Sequence, residues 1–325
     1  MLAVLQATDR HWLLVWLVGL VWLLGWRNEQ RVLRALFDWL PLLVILTAYD
    51  LVRANADSLI ARAHLEPMIA FDEFIGGGTA PTVRMQVAWF HAQHPHWYDY
   101  VSLVVYVSHF FTAIILGAVV YFTARARFPS YAFTFLACSL AGFATYVIFP
   151  AIPPWLASDQ GALPPTIRAP DVLWGHLGFD FLAKVFSGDP KYSVPVGAVP
   201  SEHAAYPLLF LLLFWRVTSP RWRVVLVGYV LAMAFVLVYF AEHYVFDIVV
   251  GWAYAVIAFV VVGRILAARH ARALVASEPF GIGRAGVVPR PVEPEEHQRP
   301  IEVLRVDDTD TAGRWTRAQV QEARE

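Results

Sequence analysis

Apolar residues run through this chain in long blocks, not in the alternating or one-sided patterns of strands and helices that face water. A membrane-crossing helix needs roughly 20 mostly apolar residues, and such stretches occupy 12–26, 35–52, 98–122, 130–149, 203–217, 222–241 and 245–267. The first and fifth are short, so the pattern gives six or seven crossings. The predicted fold is an all-α, polytopic membrane helix bundle: a six-helix core over 35–269, preceded by one extra N-terminal segment and its loop over 1–34. The first apolar run ends in Gly25, Trp26 and Arg27 instead of a small-residue cleavage site, so it reads as a retained helix. Beyond about 270 the chain turns rich in Glu, Arg, Pro and Asp and loses periodicity, which predicts a disordered tail.

Arginine positions test the segments independently, because short cytoplasmic loops are enriched in basic residues. Arg27, Arg31 and Arg34 follow the first segment, Arg125 and Arg127 the third, Arg216, Arg221 and Arg223 the fifth, and Arg264, Arg269 and Arg272 the seventh. Every second connection is therefore expected to be cytoplasmic, as is the tail. The N-terminus and the connections 53–97, 150–202 and 242–244 are expected on the outer, periplasmic or luminal, side of a cell membrane. The connection 150–202 carries nine prolines and cannot be one helix. Leu173, Leu177, Phe181 and Val185 nevertheless recur at helical spacing within it, which predicts an amphipathic helix on the membrane surface.

Composition agrees with a bilayer solvent: 58% of the 325 residues are apolar and 16% charged, against roughly 45–50% and 25% in soluble domains. A net charge of −1 argues against a nucleic-acid partner. Cys138 is the sole cysteine, so no disulfide forms within the chain.

Ionisable residues at or in a bilayer are costly and point to function, and three clusters fall at outward segment ends. In Glu242-His243-Tyr244-Val245-Phe246-Asp247, the i, i+4 spacing sets Asp247 one helical turn below His243. A carboxylate there can hold one ring nitrogen and leave the other free to attack or to accept a proton; a polar pair stabilising a helix end is the plainer alternative. In Pro200-Ser201-Glu202-His203, Ser201 caps a helix start whose amides can receive an anion beside His203, or the motif is ordinary capping. Phe149-Pro150-Ala151-Ile152-Pro153-Pro154-Trp155 closes the fourth segment.

Together these motifs resemble the type 2 phosphatidic acid phosphatase superfamily and, within it, the inositol-phosphorylceramide-synthase-like lipid phosphotransferases. Pro200-Ser201-x-His203 is similar to the family's central motif, and His243-Tyr244-x2-Asp247 with Gly251 to its last. The run Phe149 to Trp155 is similar to the synthase branch, and the resemblance spans roughly 36–267. It implies a metal-independent, cofactor-free transfer in two steps. His243, oriented by Asp247, attacks phosphorus to form a phosphohistidine, while His203 protonates the departing lipid alkoxide and then deprotonates the acceptor. The resemblance assigns the nucleophile to His243; spacing does not choose between the histidines. It implies phosphatidylinositol as donor and leaves the acceptor open among lipid and glycolipid hydroxyls.

Two departures refine this. The phosphatase branch carries a Lys-x6-Arg-Pro motif, whereas this chain has no lysine before Lys184; and Leu237 stands where phosphatases place an arginine before the last histidine. A cation-poor site suits a singly charged phosphodiester better than a phosphomonoester, so transfer is favoured over hydrolysis of a lipid phosphate. The latter, on a polyprenyl phosphate or phosphatidate, stays as the alternative, with a non-enzymatic lipid transporter behind it. Ser201, Arg168, Lys191 and Tyr244 are the candidate phosphate or substrate contacts, with Lys184 a further loop cation. His91, His94 and His96 read as interfacial residues, Gly76-Gly77-Gly78 as a turn, Asp50 and Arg53 as a pair, and Asp99 and His109 as either cavity-facing or bundle-stabilising.

Overall fold

The computed structural model describes residues 29–179 and 194–277. The segment at 12–26, the bulk of the tail, and Phe181, Lys184, Val185 and Lys191 lie outside the described residues. Helices in chain order are α1 (Glu29–Ala54), α2 (Ala56–Ile60), α3 (Glu66–Ile75), α4 (Pro81–Trp89), α5 (Trp97–Thr123), α6 (Phe128–Ile148), α7 (Pro154–Asp159), α8 (Ala169–His176), α9 (Glu202–Phe214), α10 (Pro220–Tyr239) and α11 (Val245–Ser277). No β-strand occurs among the described residues; His64, Ala151 and Gly197 make isolated bridges. Among the described residues, four spans are long and apolar enough to cross a membrane: Trp97–Thr123, Arg125–Ile148, Pro220–Tyr239 and Val245–Arg272. The molecule is an all-α, polytopic membrane protein, as its apolar blocks predict.

Proline at the first turn starts several of these helices, α4, α6 and α10 among them, where the missing N–H removes no helical bond. Leu209 and Phe210 of α9 are buried, and α9 lies at the centre, in contact with α5, α6, α10 and α11, while α1 packs outside on α6. Small residues set how closely α9 approaches its neighbours. A Cβ on Gly251 of α11 would lie 2.3 Å from the carbonyl oxygen of Ser201, and one on Gly142 of α6 would lie 2.5 Å from Oε1 of Glu202. Side-chain hydroxyls tie the helices where no water competes: Ser139 meets Tyr206 at 2.6 Å, Thr145 meets Tyr254 at 2.7 Å and Ser108 meets Tyr229 at 2.8 Å. Phe111, Ile114, Ile115, Val224 and Ile257 point outward, as apolar side chains facing lipid do.

One end of the bundle carries the basic connections at 125–127 and 216–223. The opposite end is roofed by the short helices and their connections: Met68 of α3 and Val83 of α4, with Ala80, Ile152 and Leu163 from the connecting segments, close over Ala198, Val199 and Tyr244. The amphipathic helix expected through Leu173, Leu177, Phe181 and Val185 is cut short. α8 ends at His176 and Gly178 takes φ 71, a left-handed turn that glycine adopts without steric cost, and Leu173 is fully buried instead of lying on a surface. At the far end α11 continues to Ser277, past the expected boundary at 269.

Candidate active site

The site lies under this roof, where α9 and α11 begin. After α10 the chain doubles back, with Ala241 at φ 58 and the amides of Glu242 and His243 both donating to the Leu237 carbonyl at 3.0 and 3.2 Å. That turn delivers His243 to the start of α11. Asp247, wholly buried, accepts the Tyr244 amide at 2.9 Å through Oδ2 and meets His243 Nδ1 at 3.3 Å through the same oxygen. Nδ1 also lies 3.1 Å from the Ala198 carbonyl. A carbonyl only accepts, so Nδ1 carries the proton and Nε2 keeps its lone pair. Nε2 faces His203 Nδ1 at 3.4 Å.

His203 is fixed independently, one residue into α9. Ser201 caps this helix by accepting the Ala204 amide at 3.2 Å, and its own amide donates to the Asp247 carbonyl at 3.0 Å, joining α9 to α11. The His203 ring lies between Tyr106, centroids 5.5 Å apart and 7° from parallel, and His109, at 4.0 Å and 30°. Asp247, His243 and His203 thus form one line from the core to the site.

Arg168 joins them from the roof. Its guanidinium donates to both oxygens of Glu242, at 2.7 and 3.2 Å, and stands 4.8 Å over the Trp155 ring. Burial opposes its charge, yet Glu242 and the neighbouring Tyr106 hold it above the usual arginine range. Its Nη1 and the Trp155 indole nitrogen are buried and take no hydrogen bond, so two donors remain for an oxyanion. Gln86 places this arginine by accepting the Ile167 amide at 2.8 Å and donating to the Ile167 and Tyr239 carbonyls at 2.6 and 3.1 Å.

A family model described as the PAP2 superfamily matches residues 68–261. The chain belongs to the PAP2 superfamily. Within it, the chain is 31% identical to a phosphoinositol dihydroceramide synthase of Bacteroides thetaiotaomicron over 164 residues, covering 48% of this chain and 53% of the relative. It is 32% identical to the catalytic subunit of inositol phosphorylceramide synthase of Schizosaccharomyces pombe over 170 residues, 50% of this chain and 39% of the relative. The matched region therefore spans about half or less of these relatives' lengths. No solved structure matches.

The other expected residues of this PAP2 chain distribute unevenly. Ser201 and Tyr244 are both fully buried, the first engaged as a cap and the second packed into the apolar roof. Asp50 pairs with Arg53 at 3.3 Å. Among the former interfacial histidines, His96 shares a reciprocal cap with Asp99 at the start of α5, and Asp99 also accepts the Tyr239 hydroxyl at 2.5 Å. Two residues escaped sequence reasoning. Asp72 of α3 accepts the amides of Val245 and Phe246 at 3.0 and 3.1 Å and so caps α11 from outside. Burial pushes its carboxyl up to about 6, against those two hydrogen bonds. Glu242, adjacent to His243, is the partner of Arg168 across a separation of 74 residues. Neither contact leaves a local signal.

Proposed function

We propose that the protein is a membrane lipid phosphotransferase that moves a phospho-headgroup, inositol phosphate from phosphatidylinositol, to the hydroxyl of a lipid or glycolipid. The observation that carries this reading is the line Asp247, His243, His203 standing beside an arginine whose charge is already balanced by Glu242. A phosphomonoester brings nearly two negative charges and a diester one; a neutralised cation with one free N–H edge suits the diester. The names of the two relatives carry the same phosphoinositol headgroup, which supports the reading.

In the first half-reaction His243 Nε2 attacks phosphorus, the bond to the diacylglycerol oxygen breaks, and His203 delivers a proton to that oxygen. In the second, His203 removes the proton from the acceptor hydroxyl, its oxygen attacks the phosphohistidine, and the P–N bond breaks, so acid and base exchange roles. Arg168 and Trp155 hold the phosphoryl oxygens, with Lys191 a further loop cation, Ser201 capping α9 beside them and Tyr244 packed into the roof. The basic connections support an outer-face site for this chemistry, with the tail cytoplasmic. No cofactor or metal enters either step.

The test is headgroup transfer by purified protein in detergent with EDTA, using labelled phosphatidylinositol and candidate lipid and glycolipid acceptors. Labelled acceptor formed by the wild type, lost in His243→Ala, is the expected result. Release of inorganic phosphate from lipid monophosphates, with no transfer, overturns it in favour of a phosphatase.

A further inference from the structure

Two buried ring nitrogens beside the catalytic pair take no hydrogen bond: Nε2 of His203 and Nδ1 of His109. They belong to rings stacked at 4.0 Å. His109 extends the inward stripe of α5 below Asp99, Ser102, Leu103 and Tyr106. The far face of its ring lies on Tyr206, 5.1 Å away and 16° from parallel. The imidazole is therefore held between two rings, its Nδ1 buried and without a hydrogen bond. Just beyond it on α5, Phe110 sets its ring edge-on to His203, centroids 5.7 Å apart, and Phe111, Ile114 and Ile115 are exposed and apolar, so His109 stands where the catalytic pocket meets the surface that acyl chains cover. Arg168 and Trp155 occupy the other, roof side of His203.

The spacing within the pair decides which nitrogen of His203 handles the proton. Its Nδ1 is 3.4 Å from His243 Nε2, too close for a phosphorus and an oxygen to lie between them. Nε2, on the far edge of the same ring, leaves room for an in-line N, P, O arrangement. The His109 ring lies against this one at 4.0 Å, so a substrate oxygen bound at Nε2 arrives beside it.

We propose that His109 Nδ1 and His203 Nε2 together form the subsite for the lipid alcohol oxygen, which leaves as diacylglycerol in the first half-reaction and enters as the acceptor hydroxyl in the second. This rests on the phosphotransferase reading and adds to it a third histidine that touches substrate. His109 orients the oxygen by hydrogen bonding while His203 gives or takes its proton; no net proton is gained over the two halves. The occupant is an uncharged lipid hydroxyl arriving from the bilayer.

The experiment compares wild type, His109→Phe and His109→Gln with two donors: phosphatidylinositol, whose alkoxide leaving group needs help, and an inositol nitrophenyl phosphodiester, whose phenolate leaves unassisted. Phe keeps a ring against His203 and removes the nitrogen; Gln gives up the ring and keeps a hydrogen-bonding group. First-step release of diacylglycerol is expected to fall about 10²- to 10³-fold in His109→Phe, in the range of a lost catalytic hydrogen bond. Nitrophenol release is expected to fall at least tenfold less, and Gln to recover part of the lipid reaction. Equal losses with both donors, better activity in the Phe variant than in the Gln variant, or no loss at all would each overturn the subsite. Wild type that transfers nothing from either donor fails the phosphotransferase reading itself, a distinct outcome.

Discussion

In the proposed mechanism Asp247 acts on catalysis through one ring nitrogen. Substituting Asn offers His243 Nδ1 an amide that can present N–H instead of oxygen, which sets the wrong tautomer and removes the negative charge that balances a protonated or phosphorylated ring. The Ala198 carbonyl at 3.1 Å still favours the right tautomer, so Asp247→Asn is expected to lower kcat about 10²- to 10³-fold, less than a triad carboxylate with no second acceptor. KM for phosphatidylinositol should change little, and steady-state transfer assays separate the two parameters. Glu242→Gln has the opposite character: it unbalances Arg168. Inhibition by a lipid phosphomonoester should strengthen about tenfold, equivalent to roughly 1.4 kcal/mol. Thermal stability should fall, because a buried charge loses its partner. A competition series and a melting curve on one preparation read both effects.

At the scale of elements, the helix junctions hold the site to shape. A Cβ on Gly251 would lie 2.3 Å from Ser201 O, where it meets rigid backbone. Gly251→Ala is therefore expected to push α11 off α9, widen the gap between His243 and His203, and destabilise by about 1–3 kcal/mol. Gly263, on the same helix with no atom near its Cβ position, provides the contrast: Gly263→Ala should preserve activity and leave stability equal or raised by up to about 1 kcal/mol. Melting temperatures of the two variants in detergent decide. The motifs and crossings were legible because each depends on neighbouring residues, through unbroken apolar runs, a Ser cap and an i, i+4 pair. Arg168 with Glu242, Gln86 with Ile167, and Asp72 with α11 are joined only by the fold, so no period or spacing announced them. The periodic leucines at 173 and 177 misled for a related reason: apolar recurrence reports burial without saying whether protein or lipid provides it, and it does not register the turn at Gly178.

Across the whole molecule, the roof and the membrane bundle are coupled through Asp72, which sits in α3 and caps α11. Its folded-state value of about 6 lies above the unbound 3.8, so its contribution to stability is fully present below 3.8 and is lost as pH rises through about 6. The stability difference between wild type and Asp72→Asn should accordingly shrink as pH is raised from 4 to 7, and melting at several pH values in one detergent measures it. A difference that grows over this range would mean that the two amide hydrogen bonds outweigh burial.

The Arg168 and Glu242 pair has a consequence for turnover as a whole. In the proposed reaction a site whose arginine is balanced before the headgroup arrives trades one singly charged diester for another, so donor binding and product release perform the same electrostatic work in opposite directions. The proposed cycle is electroneutral, and ionic strength then has little leverage over its rate beyond the encounter with the membrane surface. Turnover measured with neutral detergent carriers should stay level as salt is raised, where an enzyme that gathers dianions with unpaired cations would slow.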